Sequence, residues 1–238
     1  MKKYLGLILF SIFLTYNADA QFDKLLQKGK DLIGKESSDN TAAGLKEALN
    51  EGVNKAVKTL SVKDGYLLSP YKIMVPEEAQ VVISKVKKIP GFQNVEEKLV
   101  NQMNEAAEIA AKKATPIFID AIKQMTIKDA LSILMGEQDA ATVYLRRTTN
   151  DNLYNAFLPV IQNSLEEVNA LTYWNSVVSA YNKIPFAKKL NPELDDHVNQ
   201  MALNGIYSLI EEKEKGIRTD SSQRTSELLR DVFGKLDK

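Results

Sequence analysis

The chain has no cysteine among its 238 residues, and only one histidine and one tryptophan. Without cysteine there is no disulfide, no thiolate zinc or iron–sulfur site and no thiol nucleophile. With His197 alone, a zinc site would have a single imidazole and a Ser-His-Asp triad a single possible base. The signatures HExxH, GxSxG and GxGxxG are absent, as are a phosphate loop and an EF-hand loop. No cofactor and no resident metal are therefore expected. Charge of one sign is also lacking, since 31 Lys and Arg balance 31 Asp and Glu. No global field favours nucleic acid, which is not expected as a partner. Strand signals are scarce. Pro70 and Pro76 punctuate the only extended-looking run, Tyr66–Val75, so at most a minor hairpin is expected near 66–75.

Long apolar runs are missing except at the start, MKKYLGLILFSIFLTYNADAQ. Lys2 and Lys3 form a basic n-region. Tyr4–Leu14 is too short to span a bilayer, and Ala18-Asp19-Ala20 is a small-x-small cleavage site. Residues 1–20 therefore read as a secretory signal peptide cut before Gln21, leaving no integral membrane span. Its removal takes two of the 31 bases and one of the 31 acids, so the charge falls to about −1. The expected destination is the periplasm or the exterior. Cysteine-free export fits a bacterial envelope better than a eukaryotic secretory route.

What remains is helical periodicity. Residues 21–40 begin with an amphipathic piece, FDKLLQKGKDLIG, which could lie on a bilayer, and continue as a polar, mobile linker. A helical domain is expected over 41–238. Its first helix is capped by Asn40 or Thr41 and carries Leu45, Leu49, Val53, Val57 and Leu60 at spacings of three and four. Gly44 and Gly52 lie within it and suggest close approach of a neighbour. Further helices are expected over 77–89, over 94–113 with Asn94 as cap, over 117–125 and over 127–135. Thr126 and Asp129 suit a capping box for the last of these. The pattern resumes from Asp139 through Arg147 and over 153–168, where Pro159 could kink or break it. Next comes 171–181, with Trp174 as a core anchor. Asn191-Pro192 opens a long helix to about Lys215, and Ser221 or Ser222 caps a final one. The expected fold is an all-α, single-domain bundle of about eight to ten helices with short connections.

Three passages together resemble the bacterial domain of unknown function 4197 family. They are GLKEALNEGVNKAVKTLSVKDG, the stretch Pro116–Pro159, and ELDDHVNQMALNGIYSLIEEKEKGIRTDSSQRTSELLRDVFG. The resemblance implies a secreted or envelope-located helical domain of Gram-negative bacteria, and it implies no activity. His197 departs from the family pattern, which carries an aromatic there, usually Tyr.

The most concentrated polar set is Asp139, Tyr144, Arg146, Arg147, Thr148 and Thr149. Asp139 and Arg146 share a helical face, and arginine's planar fork suits a carboxylate or phosphate. As structure, Arg146 would be an ionic pin whose acid is Asp120, Asp129 or Asp195. As function, Arg146, Arg147, Asp139, Tyr144 and Asp195 would bind an anionic or small amphiphilic ligand. Glu193, Asp196 and His197 could supply part of a metal site but lack a second histidine. The acids Glu211, Glu212 and Glu214, with Arg218, Arg224 and Arg230, read as a solvated face linked to the next helix. The small residues of EAAEIAAKKAT read as close packing, or else as a groove. The sequence therefore suggests a binding module for an envelope protein or a small ligand. The rival readings are a hydrolase built on carboxylates and arginines, and a peripheral or structural membrane protein.

Overall fold

The computed structural model of the chain describes residues 35–88, 90, 93–167, 169–183, 185, 186, 189, 193–234 and 237. The expectations for the leader, the amphipathic piece and the Asn191-Pro192 start lie outside these residues. Among them there are nine α-helices and no strand. These are α1 (Lys35–Leu60), α2 (Gln80–Val86), α3 (Val95–Ala111), α4 (Ala114–Gln124), α5 (Ile127–Leu134), α6 (Ala140–Glu167), α7 (Ala170–Tyr181), α8 (Leu194–Thr219) and α9 (Glu227–Gly234). Short 3-10 turns precede α2 and follow α8. The all-α expectation holds. In place of a hairpin, residues 61–76 form an irregular strap, with turns and bends over 61–71 and no regular element over 72–76.

The core follows the apolar periodicity. Leu45, Val53, Val57 and Leu60 of α1 are buried, as are Phe118 and Ile122 of α4, Leu145, Leu153, Phe157 and Ile161 of α6, and Val198, Ile206 and Tyr207 of α8. Phe118 meets Tyr207 edge-on, with ring centroids 5.8 Å apart. Trp174 is buried on α7. The alanines at 106, 107, 110, 111 and 114 are fully buried, so the small-residue stretch is a packing surface.

Several boundaries differ from the expected ones. Helix α1 already includes Lys35–Asn40, ahead of the expected caps Asn40 and Thr41. No Gly or Pro interrupts Lys35–Asn40, Glu36 and Asp39 suit a helix start, and Thr41 is buried in the core instead of capping. Helix α6 runs unbroken through Pro159. Pro159 and Asn155 lie on the exposed face, where water can satisfy the carbonyl that loses its partner. The last helix is capped by Ser226, whose Oγ accepts from the Leu229 N–H at 3.1 Å. Ser221 and Ser222 sit in the 3-10 turn, where Asp220 accepts from the Ser222 N–H.

The glycines of α1 divide. A Cβ on Gly44 would come within 2.9 Å of Val232 and 3.2 Å of Leu228, so α9 does pack closely there. A Cβ on Gly52 would meet nothing within 4 Å, and close approach is not its role. Gly52→Ala is therefore expected to stabilise the protein by about 0.5–1 kcal/mol through helix propensity alone. Chemical denaturation with an unchanged m-value checks this, and a loss of stability would show that the position is not open.

Candidate functional site

The predicted polar set on α6 does not form one pocket. Half-buried Arg146 donates to Asn204 Oδ1 at 3.0 Å and lies over the Tyr207 ring, 4.4 Å from its centroid. Among the described residues it makes no salt bridge. The expected ionic pin is thus a cation–π contact that joins α6 to α8. The three acids offered to it are engaged elsewhere. Asp129 closes the capping box of α5, accepting from the Thr126 N–H at 3.0 Å and Thr126 Oγ1 at 2.6 Å. Burial pushes the Asp129 carboxyl up, but the Thr126 hydrogen bonds, aided by Arg147 and Lys128, outweigh it and hold the group below its usual value. Asp120 is exposed beside Lys123.

Asp195 accepts from Gln162 Nε2 at 2.7 Å. Gln162 is sixteen residues along α6 from Arg146, roughly 24 Å at 1.5 Å per residue. Arg147 is exposed and lies 5.6 Å from the Tyr144 ring centroid. Burial raises the Tyr144 pKa, Asp129 adds to the rise and Arg147 opposes it. Thr149 and Tyr207 share a hydroxyl–hydroxyl hydrogen bond of 2.7 Å. Thr148 turns back on its own helix, to Tyr144 O. Asp139 does not take the first free amides of α6, because Glu214 does.

Glu214 and Arg218 form the buried ion pair of the described structure, 2.9 Å apart on successive turns of α8. Glu214 Oε1 accepts from the Ala141 N–H at 2.9 Å, and Oε2 accepts from the Thr142 N–H and Thr142 Oγ1, each at 2.8 Å. Arg218 donates to Ile133 O at 2.7 Å and Leu134 O at 3.2 Å. The carboxylate therefore caps the positive start of α6, and the guanidinium caps the negative end of α5. This corrects the reading of that run as a solvated face linked to the next helix. Glu211 pairs with Lys215 on the same helix, and Glu212 with Lys213 and Tyr71. Arg224 is buried, donates to Ile217 O and binds Asp237 through both terminal nitrogens.

The strap lies in the crevice between α3 and α8. Asn104 and Glu108 hold it from α3, four residues apart. Asn104 Oδ1 accepts from the Ile73 N–H at 2.8 Å, and its Nδ2 donates to Ile73 O at 2.8 Å and Val100 O at 2.7 Å. Buried Asn104 thus pairs with Ile73 as a neighbouring strand would. Glu108 accepts from the Asp64, Tyr66 and Leu67 N–H groups at 3.0, 3.1 and 3.4 Å. Asp64 adopts a left-handed φ of 62° in this turn.

From α8, Ala202 O accepts from Tyr66 Oη at 2.7 Å and Glu212 accepts from Tyr71 Oη at 2.9 Å. Burial, then the Glu212 contact, pushes the Tyr71 pKa up to about 12, so it stays a donor at neutral pH. His197 Nε2 lies 3.0 Å from Met74 O. The lone histidine thus fastens the strap, and among the described residues no cluster could hold a metal. Gly205 lets the strap approach, since a Cβ there would lie 2.8 Å from the Tyr66 ring.

Fastened this way, the strap leaves an open cleft along α3. Asn94, Glu97, Asn101, Glu105, Glu108 and Lys112 follow at spacings of three and four, one face of the helix. The larger cavity, ≈ 560 Å³, lies between this face and Ser61, Lys63, Asp64 and Leu67. A second, ≈ 330 Å³, is bounded by Lys72, Met74 and Lys87. Asn101 borders both. Lys63 and Lys112 line the larger cavity together with Leu67 and Ile109. None of Arg146, Arg147, Asp139, Tyr144 or Asp195 lines these two cavities. Sequence reading missed Asn104 and Glu108. Their signal was present: both are polar residues inside the apolar stripe of α3, beside Met103 and Ala107.

No helix among the described residues is long and apolar enough to cross a membrane. No curated protein and no solved structure matches the chain. The model of the family described as Protein of unknown function (DUF4197) matches residues 35–234, and the protein belongs to that family.

Proposed function

We propose that the protein is exported to the bacterial cell envelope and works there as a binding module, with the cleft along α3 as its ligand site. The observation that carries this reading is the cleft itself. At ≈ 560 Å³ the larger cavity falls within the range of small-molecule sites, roughly 300–1,000 Å³. Lys63 and Lys112 beside Leu67 and Ile109 suit a small amphiphile with an anionic head, although Asp64 and Glu105 share the rim.

Binding is favoured over hydrolysis because the buried carboxylates Glu108 and Glu214 are both occupied by backbone amides. A general acid or base needs a free oxygen within reach of substrate. Export is supported by the basic, apolar and small-residue order of residues 1–20.

Native mass spectrometry of the protein recovered from the periplasm tests both parts. The expected mass is that of a chain beginning at Gln21 with a co-purified small molecule. Asn101→Trp places an indole where the two cavities meet, at an exposed position. It should abolish the adduct and leave the melting temperature unchanged. A clean apo mass, or an adduct that survives Asn101→Trp, would contradict the cleft as the site.

A further inference from the structure

Helices α1 and α3 both finish beside the turn at 61–69. The Cβ position of Gly65 lies 2.7 Å from Thr59 O and Leu60 O, the last carbonyls of α1. Glu108, in the last turn of α3, holds the amides of the same turn. Apolar side chains at this end face outward: Leu68 is 81% exposed, Val62 50% and Ile109 39%. Four exposed lysines belong to the same end: Lys58 in the last turn of α1, Lys63 in the turn, and Lys112 and Lys113 directly after α3. Asp64 and Glu105 are the acids nearby, with Glu108 buried beneath the turn. This end is therefore basic, although the whole chain is balanced. Complementing the negative ends of two helices accounts for Lys58, Lys112 and Lys113. It does not account for Lys63, nor for a leucine and a valine turned to solvent.

We propose that this tip docks on a bilayer surface containing anionic lipid. Leu68 and Val62 enter the interfacial layer, and Lys58, Lys63, Lys112 and Lys113 meet headgroup phosphates. An apolar tip ringed by lysine combines the two contributions that hold peripheral proteins, apolar burial and attraction to negative headgroups. The contact is peripheral; Lys63 and Lys112 also line the α3 cleft, whereas Leu68, Val62, Lys58 and Lys113 do not, so Leu68→Ser separates the two sites. It also differs from adsorption through residues 22–33, which lie outside the described structure.

Co-sedimentation of the processed protein with phosphatidylcholine vesicles, with and without phosphatidylglycerol, tests the proposal. Binding is expected only with phosphatidylglycerol and should weaken as salt rises. Leu68→Ser should raise the lipid concentration for half-binding about ten-fold or more. Lys63→Gln and Lys112→Gln should each raise it about five-fold. All three positions are exposed, so unchanged melting confirms that the variants are folded. No vesicle binding, or equal binding to both vesicle types, overturns the proposal. So does binding that survives all three substitutions, the result expected if residues 22–33 were responsible. Self-association that Leu68→Ser abolishes, without vesicle binding, would make the tip a protein interface and would also overturn it.

Discussion

Glu214→Ala is expected to lower the stability of the protein by about 3–5 kcal/mol, the usual cost of removing one partner of a buried ion pair. The substitution strips the Ala141 and Thr142 amides and Thr142 Oγ1 of their acceptor. It also leaves Arg218 inside the fold without an acid, facing the Ile133 and Leu134 carbonyls and the Phe233 ring. Three elements loosen together: the end of α5, the start of α6 and the α8 turn that joins them. At roughly 2–4 °C per kcal/mol for a domain of this size, the melting temperature should fall by about 6–20 °C. Glu212→Ala, two residues away and exposed, should stay within about 0.5 kcal/mol. The pair Glu214→Leu with Arg218→Met should cost less than the sum of the two single changes, because no unpaired charge remains. Differential scanning calorimetry of these two alanine variants, the two single changes and the double variant measures this. Additive losses would mean that the two side chains do not act as a unit.

Asn104→Leu is the second large effect. Leucine keeps the approximate volume but offers nothing to Ile73, whose N–H and C=O both depend on the Asn104 amide. Each buried backbone group left unpaired costs about 1–3 kcal/mol, so a loss of about 2–6 kcal/mol is expected for the two. The location should be specific. The strap carries few core side chains besides Tyr66, Ile73 and Val75, so it should detach before the helices unfold. Hydrogen exchange should show the Ile73 amide losing protection while amides in α6 and α8 keep theirs. Uniform loss across the bundle would place the role of Asn104 in global packing instead. Because the strap forms one wall of the α3 cleft, the same variant should also weaken any ligand held there.

How far the sequence revealed this depends on the kind of interaction. Helix content and burial were legible because they follow apolar spacing, as Leu45 to Leu60 shows; of the expected local caps, Thr126–Asp129 is formed, whereas Asn94 precedes α3 without a side-chain cap bond. The Thr126–Asp129 box needs only residues three apart, and it is present. Arg146 was misread because its partners, Asn204 and Tyr207, lie 58 and 61 residues away on α8. An arginine in a sequence suggests an acid before it suggests an aromatic face. Glu214 was misread for a related reason. In a run with Glu211 and Glu212 it looks solvated, yet helical rotation turns it inward against the start of α6. The cleft itself was not legible, since its wall is an irregular segment whose course is set by side chains of α3 and α8. Asn104 and Glu108 were the accessible clue, as polar residues four apart on an otherwise apolar stripe.

The proposed ligand site is the cleft between α3 and the strap. The most direct measurement compares hydrogen exchange in two forms: the protein as isolated from its own compartment, and the same protein stripped of small molecules by unfolding and clean refolding. Slower exchange is expected in the isolated form at residues 61–69 and 101–112, the two walls of the larger cavity, with no change around Arg146 and Tyr207. Identical exchange in the two forms along both walls would contradict it.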